Sequence, residues 1–209
     1  MTSEEMARAF YDQLGAAALA ARTTAAWDQQ IVARVLQMFR PSQRVLDIGC
    51  GYGRIAVPVA VGGYQVVGLD ISPRLLAAAW EQGHVQGVTM MWLQASMCRM
   101  PLSTNTCDIA LCLWSAFYEL LVSDEQLATV REIVRVLLPG GWGLVEGSPY
   151  ESATVDDLRH RYATICWRPA SICASSRTIW DTTHPPPPPS IHISRSKPTP
   201  WHVMPSQIS

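Results

Sequence analysis

The sequence predicts an α/β fold: a mostly parallel sheet with helices on both faces, an N-terminal helical extension and a C-terminal stretch that leaves the pattern. Three observations carry this. From Val45 to Glu146, short apolar runs alternate with longer segments of helical periodicity. The first run ends in an acid and a glycine turn that opens a helix, Val45-Leu46-Asp47-Ile48-Gly49-Cys50-Gly51-Tyr52-Gly53. The run Asp108 to Trp114 is apolar almost throughout, as parallel strands buried on both faces tend to be.

The elements follow in order. About 40 residues precede the glycine turn, and Trp27, Ile31, Val32, Val35, Leu36 and Phe39 recur there at helical spacing until Pro41. The turn then lets the backbone bend tightly and approach a ligand closely, where a Cβ would obstruct. Ile55 to Ala60 continues the helix, with Pro58 tolerable near its first turn and Gly62-Gly63 ending it. Gln65 to Asp70 is a β-branched run closing on a second acid, 23 positions after Asp47. An acid at the tip of the second strand is placed to hold ribose hydroxyls, and its two acceptor oxygens suit a vicinal diol. Capping of the next helix is the competing role for Asp70, although Ser72-Pro73 already supplies an N-cap and a first-turn proline.

Arg74 to Gln82 is predicted as a helix ended by Gly83, and Val88 to Leu93 as a third strand. Asp108 to Trp114 is the fourth strand, followed by the loop Ser115-Ala116-Phe117-Tyr118-Glu119-Leu120. Asp124 to Leu138 is amphipathic, with Leu127, Val130, Ile133, Val134, Leu137 and Leu138 on one face, and Pro139-Gly140-Gly141 terminates it. Trp142 to Glu146 is the fifth strand.

The form of the glycine turn discriminates among ligands. A dinucleotide fingerprint needs a third small residue where Arg54 stands, and the third glycine comes one position early, at Gly53. Asp47 has no role in cradling a pyrophosphate and instead sets a carboxylate against positive charge. The D-x-G-x-G-x-G pattern from Asp47 to Gly53 resembles motif I of the class I S-adenosylmethionine (SAM)-dependent methyltransferases, whose core is Rossmann-like. Their cofactor carries a sulfonium, an amino group and a carboxylate, and no phosphate. The L-L-P-G-G-W-G-L stretch from Leu137 to Leu144 carries a second resemblance to the same family.

The resemblance covers about residues 40 to 147 and implies SAM as cofactor. It assigns cofactor binding to Asp47, Gly49, Cys50, Gly51, Gly53, Asp70, Ile71, Ser96, Met97 and Leu113. Ser96 stands where the family usually carries an acid that takes the adenine amino group, and Met97 offers the base a soft apolar face. The activity implied is methyl transfer to a small-molecule oxygen, nitrogen or carbon nucleophile. For catalysis the candidates are Glu119, Tyr11 and Tyr118, with Tyr11 also a candidate lid over the cofactor and Trp114 a pocket wall. Two alternatives stay open: a non-catalytic or inactive methyltransferase-like protein, and a NAD(P)-dependent oxidoreductase.

Three parts are therefore expected: an N-terminal helical lid over residues 1–40, a SAM-binding Rossmann-like core over 41–148, and an irregular tail over 149–209. In the tail nine of the 15 prolines fall between Pro169 and Pro205, including Pro185 to Pro189. Between Arg159 and Ser209 six Arg/Lys face one acid, Asp181. Such sequence reads as extended or poorly ordered, either as a polyproline interaction segment or as the product of a shifted reading frame replacing the family's closing strands. A net charge of −1 argues against nucleic-acid or membrane-surface partners, and a small-molecule acceptor is the expected partner. The first 25 residues, with Glu4, Glu5, Arg8, Asp12 and Arg22, do not read as a secretion signal. The six cysteines form no C-x-x-C pair and the five histidines no ligand spacing, so reduced thiols in the cytoplasm and no metal are expected. Oligomeric state is left open.

Overall fold

A computed structural model describes residues 2–22 and 25–147, and the backbone of 163–167. Five strands run parallel: β1 (Arg44–Ile48), β2 (Gln65–Asp70), β3 (Met91–Gln94), β4 (Cys107–Cys112) and β5 (Leu137–Gly147). Their order in the sheet is β3-β2-β1-β4-β5, with β6 (Ala163–Trp167) antiparallel on the outside of β5. The helices are α1 (Ser3–Ala20), α2 (Ala25–Met38), α3 (Ala56–Val61), α4 (Pro73–Val85) and α5 (Ser123–Val136), with a 3-10 turn at Ala116–Glu119.

The apolar strands are explained by burial on both faces. Val45, Ile109, Leu111 and Leu144 point to one side, where Val32 and Val35 of α2, Phe39 just after it, and Ala56 and Val59 of α3 close over them. Leu46, Ile48, Val67, Leu69, Ala110 and Cys112 point to the other, against Ile133 and Val136 of α5 and the loop residues Met100 and Leu102. The alternation along β1, Val45 one way and Leu46 the other, is the two-residue period of a strand with helices on both sides.

The helix starts follow local chemistry. Thr2 and Glu5 form a capping box, the Thr2 hydroxyl accepting from the Glu5 N–H at 3.1 Å while Glu5 accepts from the Thr2 N–H at 2.7 Å. Ser72 caps α4 by accepting from the Leu75 N–H at 3.1 Å, ahead of Pro73. α1 is interrupted at Gly15, whose φ of 73° and ψ of 166° are not helical.

Several boundaries differ from the sequence reading, among them β4, which spans Cys107–Cys112 and stops short of Trp114. α4 runs through Gly83 to Val85, and the chain turns at Gly87, where φ is +69° and nothing lies within 4 Å. α5 stops at Val136, because Leu138 precedes Pro139 and is pushed to extended backbone; the following strand begins at Leu137. β3 starts at Met91 rather than Val88. β6 lies within the stretch assigned to the irregular tail: Thr164-Ile165-Cys166-Trp167 is a β-prone run too short to show a period, and it pairs with the β5 edge from Gly143 to Gly147. The Pro185–Pro189 run and the rest of 148–162 and 168–209 lie outside the described residues.

Candidate functional site

The chain builds β1 to β3 toward one edge and then crosses back to lay β4 on the other side of β1. That reversal opens a crevice at the carboxyl ends of β1 and β4, where ligands of open α/β sheets bind. The cavity there measures about 880 Å³ counting its open mouth.

Asp47, at the end of β1, is 3% exposed, and its Oδ2 has no hydrogen-bond partner among the described residues. Burial and the charge of Asp70 push its carboxyl up to about 7, against the pull of Arg54 and of a backbone N–H at Ala56. The glycine loop wraps this carboxylate. Gly49 and Cys50 donate their N–H groups to the Leu69 carbonyl at 2.8 and 3.0 Å, which ties the loop to β2. Gly49 has a φ of +70°, and a Cβ on it would lie 2.5 Å from the Ala116 Cβ, so the loop and the turn after β4 are in close contact.

Asp70 joins two backbones. Its Oδ2 accepts from the Gly51 N–H and its Oδ1 from the Ser72 N–H, both at 2.8 Å. Each carboxylate oxygen keeps a lone pair for a ligand. Burial raises the Asp70 carboxyl, while the N–H donors of Ser72, Gly51 and Ile71 act to lower it. Cys50 is buried, and burial followed by the charges of Asp70 and Asp47 pushes its thiol well above the usual range, which leaves it a poor nucleophile.

The end of β4 is a strained turn. Trp114 and Ser115 both have left-handed backbone, with φ of 56° and 61°. Such conformations cost roughly 1–2 kcal/mol each for residues with a Cβ. The buried carboxylate of Glu146, from β5, accepts the Trp114 N–H and holds the turn. The Arg54 guanidinium stacks 3.7 Å from the Trp114 ring centroid and reaches Asp28 of α2 at 3.9 Å.

Helix α1 lies across the loops after β2, β3 and β4. The Tyr11 hydroxyl donates to Glu119 Oε1 at 2.6 Å, and the Ser72 hydroxyl donates to Asp12 Oδ1 at 2.6 Å. The Leu121 N–H donates to Ser3 Oγ at 3.0 Å. Glu4 Oε1 accepts from the Ser96 hydroxyl at 2.7 Å and from the Met97 N–H at 3.1 Å. Burial, then the bond and charge of Glu119, raise the Tyr11 phenol, so it stays a proton donor at neutral pH.

Of the residues singled out in the sequence, Asp47, Gly49, Cys50, Gly51, Asp70, Ile71, Met97 and Leu113 line this one cavity, as do Tyr11 and Glu119. Gly53, Ser96 and Tyr118 are not among its walls. Gly53 sits where α3, Ala79 and Trp92 meet, Ser96 turns its hydroxyl to Glu4, and Tyr118 packs edge-on to Phe117. Glu4, Glu146 and the stacking of Arg54 were not found by sequence reasoning. Glu146 had a usable signal: like Asp47 and Asp70, it is an acid at the end of an apolar strand. Glu4 had none, since only the packing of α1 brings it to the cavity.

This arrangement coincides with a known family. Residues 46–145 match the family model described as a methyltransferase domain. They form a class I SAM-dependent methyltransferase domain. The ubiquinone/menaquinone biosynthesis C-methyltransferase UbiE of Syntrophotalea carbinolica is 38% identical to the chain over 104 residues, 49% of this chain and 42% of that protein. The uncharacterized protein Rv1405c of Mycobacterium tuberculosis is 34% identical over 101 residues, 48% of this chain and 35% of that one. Among solved structures, the 4+2 cyclase SpnF is similar to this chain with a TM-score of 0.52 at 28% identity, covering 56% of this chain and 43% of that chain. The chain thus spans less than half the length of these relatives. The domain family matched over residues 46–145 implies use of SAM. Among the described residues no helix is long and apolar enough to cross a membrane.

Proposed function

We propose that this chain binds SAM in the cavity at the β1/β4 crossover and transfers its methyl group to a small-molecule oxygen, nitrogen or carbon nucleophile. The observation that carries the reading is the pairing of two buried carboxylates on either side of the glycine loop. Asp47 Oδ2 is an unsatisfied acceptor suited to a cationic group, and Asp70 is anchored by two backbone donors with lone pairs to spare for a diol. The chain's residues fit the cofactor at both places. Asp47 would hold its cationic amino acid end, Asp70 its ribose, and Met97, Ile71 and Leu75 the faces of its base.

When bound, SAM supplies an electrophilic methyl group, and the protein aligns and encloses the reactants. Gly49 and Gly51 let the main chain come close, where side chains would hold the ligand off. Tyr11, Trp114, Glu119 and Leu120 border the same space from α1 and the β4 loop, where they would limit the access of water to a bound cofactor. Glu119 Oε1 carries the hydrogen bond from Tyr11; an acceptor hydroxyl that displaced Tyr11 would find a carboxylate able to take its proton. A neutral amine acceptor needs no such base.

Calorimetric titration of the full chain with SAM, with NAD as the comparison ligand, tests the reading. Saturable binding of SAM alone is expected. Binding of NAD in preference to SAM, or of neither by folded protein, would overturn it.

A further inference from the structure

The carboxylate of Glu4 lies on the wall of the same cavity, beyond Asp70 and away from the glycine loop. The register places this end of the cavity. β3 is the neighbour of β2, Asp70 pairs with Gln94, and the Ala95 N–H donates to the Asp70 carbonyl at 3.1 Å. A nucleoside whose ribose is held at the tip of β2 therefore has its base beside the tip of β3. The walls there are Ile71, Leu75, Ala95 and Met97, apolar faces suited to a flat ring. The polar group at the rim of that slot is Glu4. Its Oε1 is fixed by two donors, the Ser96 hydroxyl and the Met97 N–H, and its Oε2 has no partner among the described residues.

An anchored carboxylate with one oxygen to spare accepts hydrogen bonds and donates none. A base edge carrying an amino group satisfies it; the same edge with hydrogen in place of the amino group leaves it without a donor. We infer that Glu4, delivered by α1, is the residue that selects an amino-bearing purine at the base end of the cofactor site. Ser96 is then a positioning residue that holds Glu4 in place. This assignment rests on the SAM reading above. It also gives α1 a role in recognition: the helix contributes a group that the β3 loop, with Ser96 and Met97, does not contain.

The test compares S-adenosylhomocysteine with its 6-deamino (purine riboside) analogue, in which hydrogen replaces the amino group, by calorimetric titration of the full chain and of its Glu4→Gln variant. The wild type is expected to prefer the adenosine compound by about tenfold or more, the factor that corresponds to ~1.4 kcal/mol. Glutamine keeps the shape and offers a donor as well as an acceptor, so the preference should fall to within about threefold. A Ser96→Ala variant should weaken the preference partially while leaving the weaker ligand's affinity unchanged. An unchanged ratio in Glu4→Gln, with tight binding retained, overturns the assignment and leaves the SAM reading standing. A wild type that binds neither compound overturns both. Circular dichroism of each variant confirms that α1 is retained, since its capping box uses Thr2 and Glu5 and does not involve Glu4.

Discussion

Replacing Gly49 by alanine probes the contact on which the cavity depends. Two costs follow from the structure. Gly49 has a φ of +70°, and holding alanine there costs roughly 1–2 kcal/mol. The new Cβ would also stand 2.5 Å from the Ala116 Cβ, well inside ordinary contact, and relieving such overpacking costs typically about 1–3 kcal/mol. The total is about 2–5 kcal/mol, a large share of the ~5–15 kcal/mol that stabilises an ordinary domain. Gly87→Ala is the matched comparison: its φ is +69° and nothing lies within 4 Å of the added carbon, so it bears the backbone cost alone. Urea unfolding of both variants, analysed by linear extrapolation with equal slopes, should separate them by about 1–3 kcal/mol. Because Ala116 begins the turn that carries Glu119, Gly49→Ala should also weaken SAM binding, whereas Gly87→Ala should leave it intact. Equal stability losses in the two variants would refute the packing of the glycine loop against the β4 turn.

Two further outcomes are expected. The Asp47 carboxyl is raised to about 7 in the folded chain, above its unfolded value, so its bound proton favours the folded state. That stabilisation is fully present below about pH 4 and is lost as pH rises through about 7, with a magnitude on the order of 4 kcal/mol for a shift of roughly three units. Without ligand, the stability difference between wild type and Asp47→Asn should therefore change across that window, and parallel curves would show that Asp47 does not titrate there. Arg135 of α5 donates to the carbonyls of Leu102 at 2.6 Å and Met100 at 3.0 Å and pairs with Glu132 at 2.6 Å. Arg135→Gln should lower stability by about 1–3 kcal/mol without changing SAM affinity, and a thermal melt beside a titration separates the two effects.

The features legible in the sequence are those written in short stretches of chain. β1 and its glycine turn, the acid closing β2, and Ser72-Pro73 opening α4 each depend on neighbours a few residues apart, and the structure shows each element where the spacing expected it. The helix ends were less legible because packing competes with local preference. Gly83 remains helical inside α4, and Leu137 passes directly from helix into a strand paired with Cys107. The polar closure of the site could not be read at all: Tyr11 meets Glu119 across 108 positions, Glu4 meets Ser96 across 92, and Glu146 meets Trp114 across 32. The sequence by itself determined the fold class and the cofactor family, because apolar periodicity and glycine spacing act locally on the backbone. Only the tertiary structure decided which polar groups bond to one another around the cavity. A carboxylate's partners are set by where two separate segments are brought together, and no pattern along the chain encodes that distance.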